Sequence, residues 1–292
     1  MRPIRLFIFG MGYTARAFGR AMADVEWMGG TTREAGNAAR LAGRHFRARV
    51  FDGAKNADPA ILDDLRAATH VLVSIPPREG DPVLAHFREA LGAAPALQWI
   101  GYLSTVGVYG NYAGAWVSEA TTPHPRQPRS VERLDAEKAW ADLAAERAVP
   151  LATFRIAGIY GPGRNALVNL AEGKAHRIVK PGQVFNRIHV DDIAAALVAA
   201  VDRTAAGIFN LADDEPAPPQ DVVSFAAALM NVPPPPEVAF AGADLSPMAR
   251  SFYADNKRVA NRRMKAGLGI TLRYPTYREG LAGLWRDGGW RG

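Results

Sequence analysis

The residues best placed to do chemistry stand near the start of the chain. FIFGMGYTARAFG sets Gly10, Gly12 and Ala15 in a G-x-G-x-x-A spacing between an apolar run and a helical pattern. Gly10 permits a tight turn, Gly12 lets backbone approach a pyrophosphate, and Ala15 allows a helix to pack closely with its positive end toward the phosphates. That is the chemistry of dinucleotide binding, with Tyr13 and Thr14 as the intervening contacts; a purely structural glycine turn is the competing reading. About 20 residues further on, an NAD-binding chain would offer an acid to the ribose hydroxyls. This one offers GGTTR. Arg33, with Thr31 and Thr32 beside it, suits a 2′-phosphate through charge-assisted hydrogen bonds, so the expected cofactor is NADP, with NAD second. Alternatively, Arg33 only begins the next helix beside Glu34. Two more strand-end groups belong to the same candidate site. Asp52, at the end of the third apolar run, suits an adenine amine or an ordinary turn, and Ser74, Ile75 and Pro76 close the fourth, at the edge where open parallel sheets bind ligands.

A second chemical stretch lies mid-chain. RSVERLDAEKAW, from Arg129 to Trp140, has helical periodicity: Arg129, Arg133, Ala136, Trp140 and Leu143 share one broad face at roughly 100° per residue. Ala136, Trp140 and Leu143 read as a stripe packed on a sheet, with the two arginines on the same side. Inward charges need partners. Either they bind an anion or stabilise an oxyanion, or Arg133 pairs locally with Glu137 four residues on.

The elements that must position these groups follow from the apolar pattern. IRLFIFG, VEWMGG, ARVFDG, THVLVSIPP and LQWIGYLST read as strands, separated by helical segments for which Asp58 and Asp81 are candidate caps. LATFRIAGIYGPG and GIFNLADD extend the series. Alternating strands and helices specify an α/β fold with a Rossmann-type, doubly wound parallel sheet. The expected division is a dinucleotide-binding core over residues 1–160, with strand 207–213 added to its sheet, and a small C-terminal substrate lobe over 161–292. The run Pro233 to Pro236 is a stiff connector.

Composition narrows the partners. A chain of 292 residues, 48% apolar, can bury one large core, or one core and a small lobe. The absence of cysteine excludes disulfides and thiolate chemistry and fits a reducing compartment; the expected location is the cytoplasm. MRPIRLFIFG reads as a first strand rather than a signal, and Ile193 to Val201 falls far below the ~20 residues a membrane span needs. Neither a membrane nor nucleic acid is an expected partner: the net charge of +6 is dispersed, and the dense patch KRVANRRMK has no interleaved aromatics. A small polar, anionic substrate fits better, and a homodimer is one option for assembly.

LSTVGVYG, RIAGIYGPG, RIHVDDIAAAL and GIFNLADDEP, taken with the glycine turn, resemble the extended short-chain dehydrogenase/reductases, the group of sugar-nucleotide epimerases and dehydratases. TTR, THVLVSIPP, WVSEA, NKRVANRR and YPTYREGL are similar to its YeeZ-like putative NAD-dependent epimerase/dehydratases. The resemblance implies that Thr105, four residues before the Tyr of VYG, bonds a substrate oxygen, or is a plain strand-end threonine. It also implies a Tyr-x-x-x-Lys pair on the next helix, with Glu four residues beyond the lysine. Counting back from Glu137 puts Arg133 in the lysine slot and Arg129 in the tyrosine slot; using Lys138 instead leaves Leu134 for tyrosine. No tyrosine stands between Tyr112 and Tyr160, so the phenol is missing on either alignment. Arginine keeps its proton and cannot act as general acid, though it can hold an oxyanion, carboxylate or phosphate.

The remaining donors are Tyr102, Tyr109, Tyr112 and His124. Arg187 is a candidate substrate-anion ligand by the same resemblance, or else a surface ion-pair member. His189 and Asp191 read as a structural turn, and no metal is expected. Two functions stay open: an NAD(P)(H)-binding oxidoreductase or epimerase/dehydratase-like enzyme lacking the catalytic pair, and a catalytically silent dinucleotide sensor.

Overall fold

The computed structural model describes residues 3–43, 46–54 and 57–292. Its centre is a seven-stranded sheet: β1 (Arg5–Phe9), β2 (Trp27–Thr32), β3 (Phe46–Val50), β4 (His70–Val73), β5 (Trp99–Thr105), β6 (Leu151–Ile156) and β7 (Gly207–Leu211). The strand order is β7-β6-β5-β4-β1-β2-β3. β1 pairs in parallel with both β2 and β4, as do β2 with β3 and β4 with β5. Because β1 lies between β2 and β4, the winding reverses there, and the carboxyl ends of β1 and β4 frame the crevice where such sheets take ligands.

Helices α1 (Tyr13–Ala21), α2 (Ala35–Leu41), α3 (Ala60–Ala67), α4 (Pro82–Ala93) and α5 (Pro128–Glu146) connect the strands. Central strands covered on both faces must be apolar throughout, and Leu6 to Phe9 and Val71 to Val73 are fully enclosed. Asp81 caps α4 as expected, its Oδ1 accepting from the backbone N–H groups of Val83 and Leu84 at 2.9 and 3.0 Å. Asp58 works one place earlier: Pro59 is the N-cap of α3, and Asp58 accepts from Ala60 N at 2.9 Å.

Two compact units divide the chain. The first comprises residues 1–105, 128–155 and 194–209; the second comprises 106–127, 156–193 and 210–292. Each has its own apolar cluster. Phe9, Phe87, Tyr102, Trp140 and Leu143 belong to that of the first unit, and Leu167, Ala226, Tyr277 and Leu281 to that of the second. Short parallel strand pairs, 158–160 with 187–189 and 116–117 with 258–259, order the second unit. Among the described residues, no helix is long and apolar enough to cross a membrane.

His70 is buried in β4 against the Trp99 ring, with its Nδ1 2.8 Å from Thr69 Oγ1. Burial pushes its pKa down to about 4. The folded state therefore holds this imidazole neutral while the unfolded chain protonates it below about pH 6.5. Stability attributable to His70 is present above that pH and is lost as pH falls toward 4, by on the order of 3 kcal/mol. Denaturant titrations between pH 7 and pH 4 will show this loss, and His70→Gln will flatten the slope.

Candidate functional site

The glycine turn is built as its spacing requires. Gly10 adopts φ +91°, and a Cβ there would lie 2.8 Å from Ile75 Cγ1 and 3.2 Å from Ile75 N. Gly10 N donates to Thr31 Oγ1 at 2.9 Å, and Gly12 N returns to Gly10 O at 2.8 Å. Gly12 then serves as N-cap of α1 without a side-chain cap. It differs from Gly10 in two respects: its φ is −81°, and a Cβ added to it would meet no protein atom within 4 Å. Thr14 and Ala15 are buried beneath the first turn, with Tyr13 half-buried ahead of them. Beside the turn, Ser74 N donates to Phe9 O at 2.8 Å, which brings Ser74, Ile75 and exposed Pro76 to the edge of β4 next to Gly10.

The end of β2 separates three neighbours. Thr31 is fully buried and committed to Gly10, while the Thr32 hydroxyl donates to Glu34 O at 2.9 Å. Arg33 is exposed, lies outside α2, and has no ionic or hydrogen-bond partner among the described residues. It therefore does not begin the helix, whose N-cap is Glu34. Asp52 stands two residues past the end of β3 rather than at it, and its Oδ1 accepts from Ala54 N at 2.8 Å. Within the strand, Arg47 and Arg49, on one face of β3, pair with buried Asp64 at 3.0 and 2.7 Å.

The mid-chain helix settles most of the questions its sequence raised. Ala136, Trp140 and Leu143 are buried, and Trp140 Nε1 donates to Asp81 Oδ2 at 2.9 Å, tying α5 to the start of α4. Lys138 is exposed and pairs with Asp135 at 3.0 Å, so it is a surface residue and not a cleft lysine. Arg133 donates to Leu103 O at 2.6 Å, and its guanidinium carbon lies 5.8 Å from the centre of the Tyr102 ring. The expected local pair between Arg133 and Glu137 does not form. Glu137 is instead bound by Arg155 of β6, at 2.7 Å for Nη2–Oε2 and 3.2 Å from Nε to each oxygen, and also accepts from Ser104 Oγ. All three groups are buried. Arg129 is exposed one turn earlier, and Thr105 closes β5.

Two tyrosines stand in the first unit, Tyr13 at the glycine turn and Tyr102 in β5. Tyr102 is enclosed in the core, stacked 6.1 Å from Trp140, and burial raises its pKa far above the ordinary phenol value, with the Arg133 charge opposing only part of the rise. In the second unit, Tyr109 is buried and donates to Asn210 Oδ1 at 2.8 Å, the packing role anticipated for it. Tyr112 donates to Thr122 O and stacks on exposed His124 at 6.2 Å.

Arg187 is no surface ion-pair member. Nη1 donates to Phe185 O and Ala217 O at 2.9 and 3.2 Å, the guanidinium faces Tyr277, and burial lowers its pKa against the opposing pull of Asp213. Asp213 is itself buried, which lifts its pKa to about 8. His189 is enclosed by the Tyr160 and Tyr274 rings and accepts from Asp191 N through Nδ1 at 3.1 Å. It forms a structural turn, and no group of three or more potential metal ligands occurs among the described residues.

With this geometry in hand, comparison with known proteins is informative. The NAD-dependent epimerase/dehydratase family matches residues 87–212, and a functionally unknown conserved protein from Silicibacter pomeroyi is 45% identical over 97% of this chain and 98% of its own, with a TM-score of 0.86. The chain belongs to the NAD-dependent epimerase/dehydratase family. Within the wider family fold, UDP-glucuronic acid 4-epimerase from Bacillus cereus, in complex with NAD, is 17% identical over 96% of this chain and 97% of its own, with a TM-score of 0.75. A human epimerase family protein with NADPH is 15% identical over 97% and 99%, with a TM-score of 0.71. A 3-diazoavenalumate denitrifying reductase from Streptomyces is 29% identical over 164 residues, 52% of this chain; the match spans about half the length of that curated relative.

The residues that sequence reasoning missed are Ser104 and Arg155. An arginine inside the apolar run LATFRI was the available signal, since a buried guanidinium requires a buried carboxylate. Glu137→Ala will leave Arg155 uncompensated and lower stability by ~3–5 kcal/mol. Replacing both, as Glu137→Leu with Arg155→Leu, will recover most of that loss in chemical denaturation.

Proposed function

We propose that the chain is an NADP(H)-binding oxidoreductase of the extended short-chain dehydrogenase/reductase type that works without the Tyr-x-x-x-Lys pair, on a small polar, anionic substrate. The contrast between its two turn glycines carries the reading. Gly10 is required by the protein itself, through its positive φ and the contact with Ile75. Gly12 has ordinary φ and open space where a side chain would be, room that a pyrophosphate approaching the backbone would fill. The pyrophosphate would lie at that place, at the uncapped start of α1. Ser74, Ile75 and Pro76 would flank it, and Asp52 would face the adenine.

Arg33 supports NADP over NAD. An exposed guanidinium without a protein partner among the described residues, at the end of β2, is suited to a 2′-phosphate, and the adjacent acid, Glu34, takes the N-cap position of α2 and accepts from Asn37 Nδ2 at 3.4 Å.

The chemistry follows from what Arg133 and Arg129 can and cannot do. Reduced nicotinamide would supply hydride. Oxidising an alcohol, as an epimerase or dehydratase cycle begins, requires a base for the hydroxyl proton, and a guanidinium cannot accept one. In reduction, the charge that appears on the acceptor as hydride arrives can be held by a fixed cation and a hydroxyl, the roles assigned to Arg133, Arg129 and Thr105, until solvent water supplies the proton that completes the product. The name of the Streptomyces relative, a denitrifying reductase, agrees with that direction. Arg187, held by backbone carbonyls through Nη1 alone, keeps its other donors for a substrate anion.

A silent dinucleotide sensor is the second reading, favoured by the enclosure of Tyr102 and the outward position of Lys138. Two measurements separate and test them. NADPH will bind at least about tenfold more tightly than NADH, a difference of ~1.4 kcal/mol that Arg33→Ala largely removes; equal affinities in the unaltered protein would refute the NADP assignment. NADPH consumption across a panel of electrophiles will detect turnover, lowered by Arg133→Ala with little change in Tm. Tight cofactor binding with no turnover on any acceptor would leave the sensor.

A further inference from the structure

We propose that Arg16, in the first turn of α1, is the second cation of the 2′-phosphate site and determines NADP preference jointly with Arg33. The inference rests on the NADP reading and adds a residue that the glycine-turn spacing does not mark.

A ribose 2′-phosphate carries between one and two negative charges near neutral pH, as phosphate monoesters do. One guanidinium leaves part of that charge unmatched, and a second, placed on another element, fixes the anion's position as well as its charge. The described arginines on and around β1, β2 and β3 can be sorted by what already holds them. Arg5 is 3.7 Å from Glu26. Arg47 and Arg49 are locked onto Asp64, and Arg40 donates to Asn37 Oδ1 at 2.8 Å. Arg20 belongs to the last turn of α1, away from the glycine turn. Arg16 and Arg33 remain.

Arg16 is exposed and has no acidic partner among the described residues. Its Nε donates to Met11 O at 3.0 Å, which folds the side chain back over the glycine turn and leaves Nη1 and Nη2 without an acceptor among those residues. Met11 N in turn donates to Thr31 O at 2.8 Å, and the Thr31 hydroxyl accepts from Gly10 N at 2.9 Å. Three hydrogen bonds thus connect Arg16, the glycine turn and the segment that carries Arg33 two residues beyond Thr31. A guanidinium tethered at Nε loses less freedom on ligand binding than a mobile one, which favours recognition by its two terminal nitrogens.

The pyrophosphate is the other anion within reach of the first turn of α1, and it is common to NADPH and NADH. Cofactor titrations with both, and with 2′,5′-ADP and 5′-AMP as nicotinamide-free probes, therefore decide the assignment. In Arg16→Ala, affinities for NADPH and 2′,5′-ADP are expected to fall by about tenfold, with those for NADH and 5′-AMP within about twofold of the parent. Arg16→Lys should retain part of the preference, and the ligand-free Tm of both variants should match the parent. Equal weakening of NADPH and NADH would assign Arg16 to the pyrophosphate and overturn the proposal, as would unchanged NADPH affinity. If the unaltered protein fails to distinguish 2′,5′-ADP from 5′-AMP, the NADP reading itself falls, whatever Arg16→Ala does.

Discussion

A carboxylate and a guanidinium shut away from water hold the central helix against the sheet. Glu137 of α5 and Arg155 of β6 meet through two hydrogen-bonding nitrogens, and Ser104 of β5 occupies the remaining face of one carboxylate oxygen. Buried charges tolerate little displacement, because each ångström of separation exposes an unpaired ion to a poor dielectric. The rotation of α5 is consequently fixed. With Glu137 turned inward, Trp140 faces the core one turn later, Lys138 is carried to the surface, and Arg133 comes over β5 with its guanidinium on Leu103 O. The position of the permanent cation above the strand end thus follows from an ion pair that takes no part in chemistry.

The second fixed point is the crossover between β1 and β4. Gly10 passes so close to Ile75 that any larger residue would force the strand ends apart, and Thr31 completes the turn from the other side. These contacts belong to the protein alone. The open position at Gly12 and the exposed guanidinium of Arg33 are of another kind, since no contact among the described residues requires them.

Much of this was legible in the sequence because it depends on local pattern. Strand and helix alternation, the glycine spacing, the Asp81 cap and the apolar stripe of α5 all follow from periodicities of two or 3.6 residues and from preferences of single positions. The assignments that changed depend on partners distant in the chain. Glu137 looked available to Arg133 under the i, i+4 rule, but a partner 18 residues away competes from within the core, where the attraction is stronger. Arg47 and Arg49 of β3 likewise find their carboxylate, Asp64, on the next helix rather than beside them in sequence. For Arg187 the sequence offered a substrate-anion ligand or a surface ion pair; the ion pair does not form, and the acceptors it has are backbone carbonyls, which sequence does not display.

The bareness of Arg33 has an evolutionary corollary. Thr31, two positions earlier, is enclosed and bonded to the turn, so altering it disturbs the architecture. The Arg33 side chain has no ionic or hydrogen-bond partner among the described residues, so exchanging it breaks no such contact there. Substitutions at position 33 can therefore accumulate without cost to the crossover, whereas those at position 31 cannot.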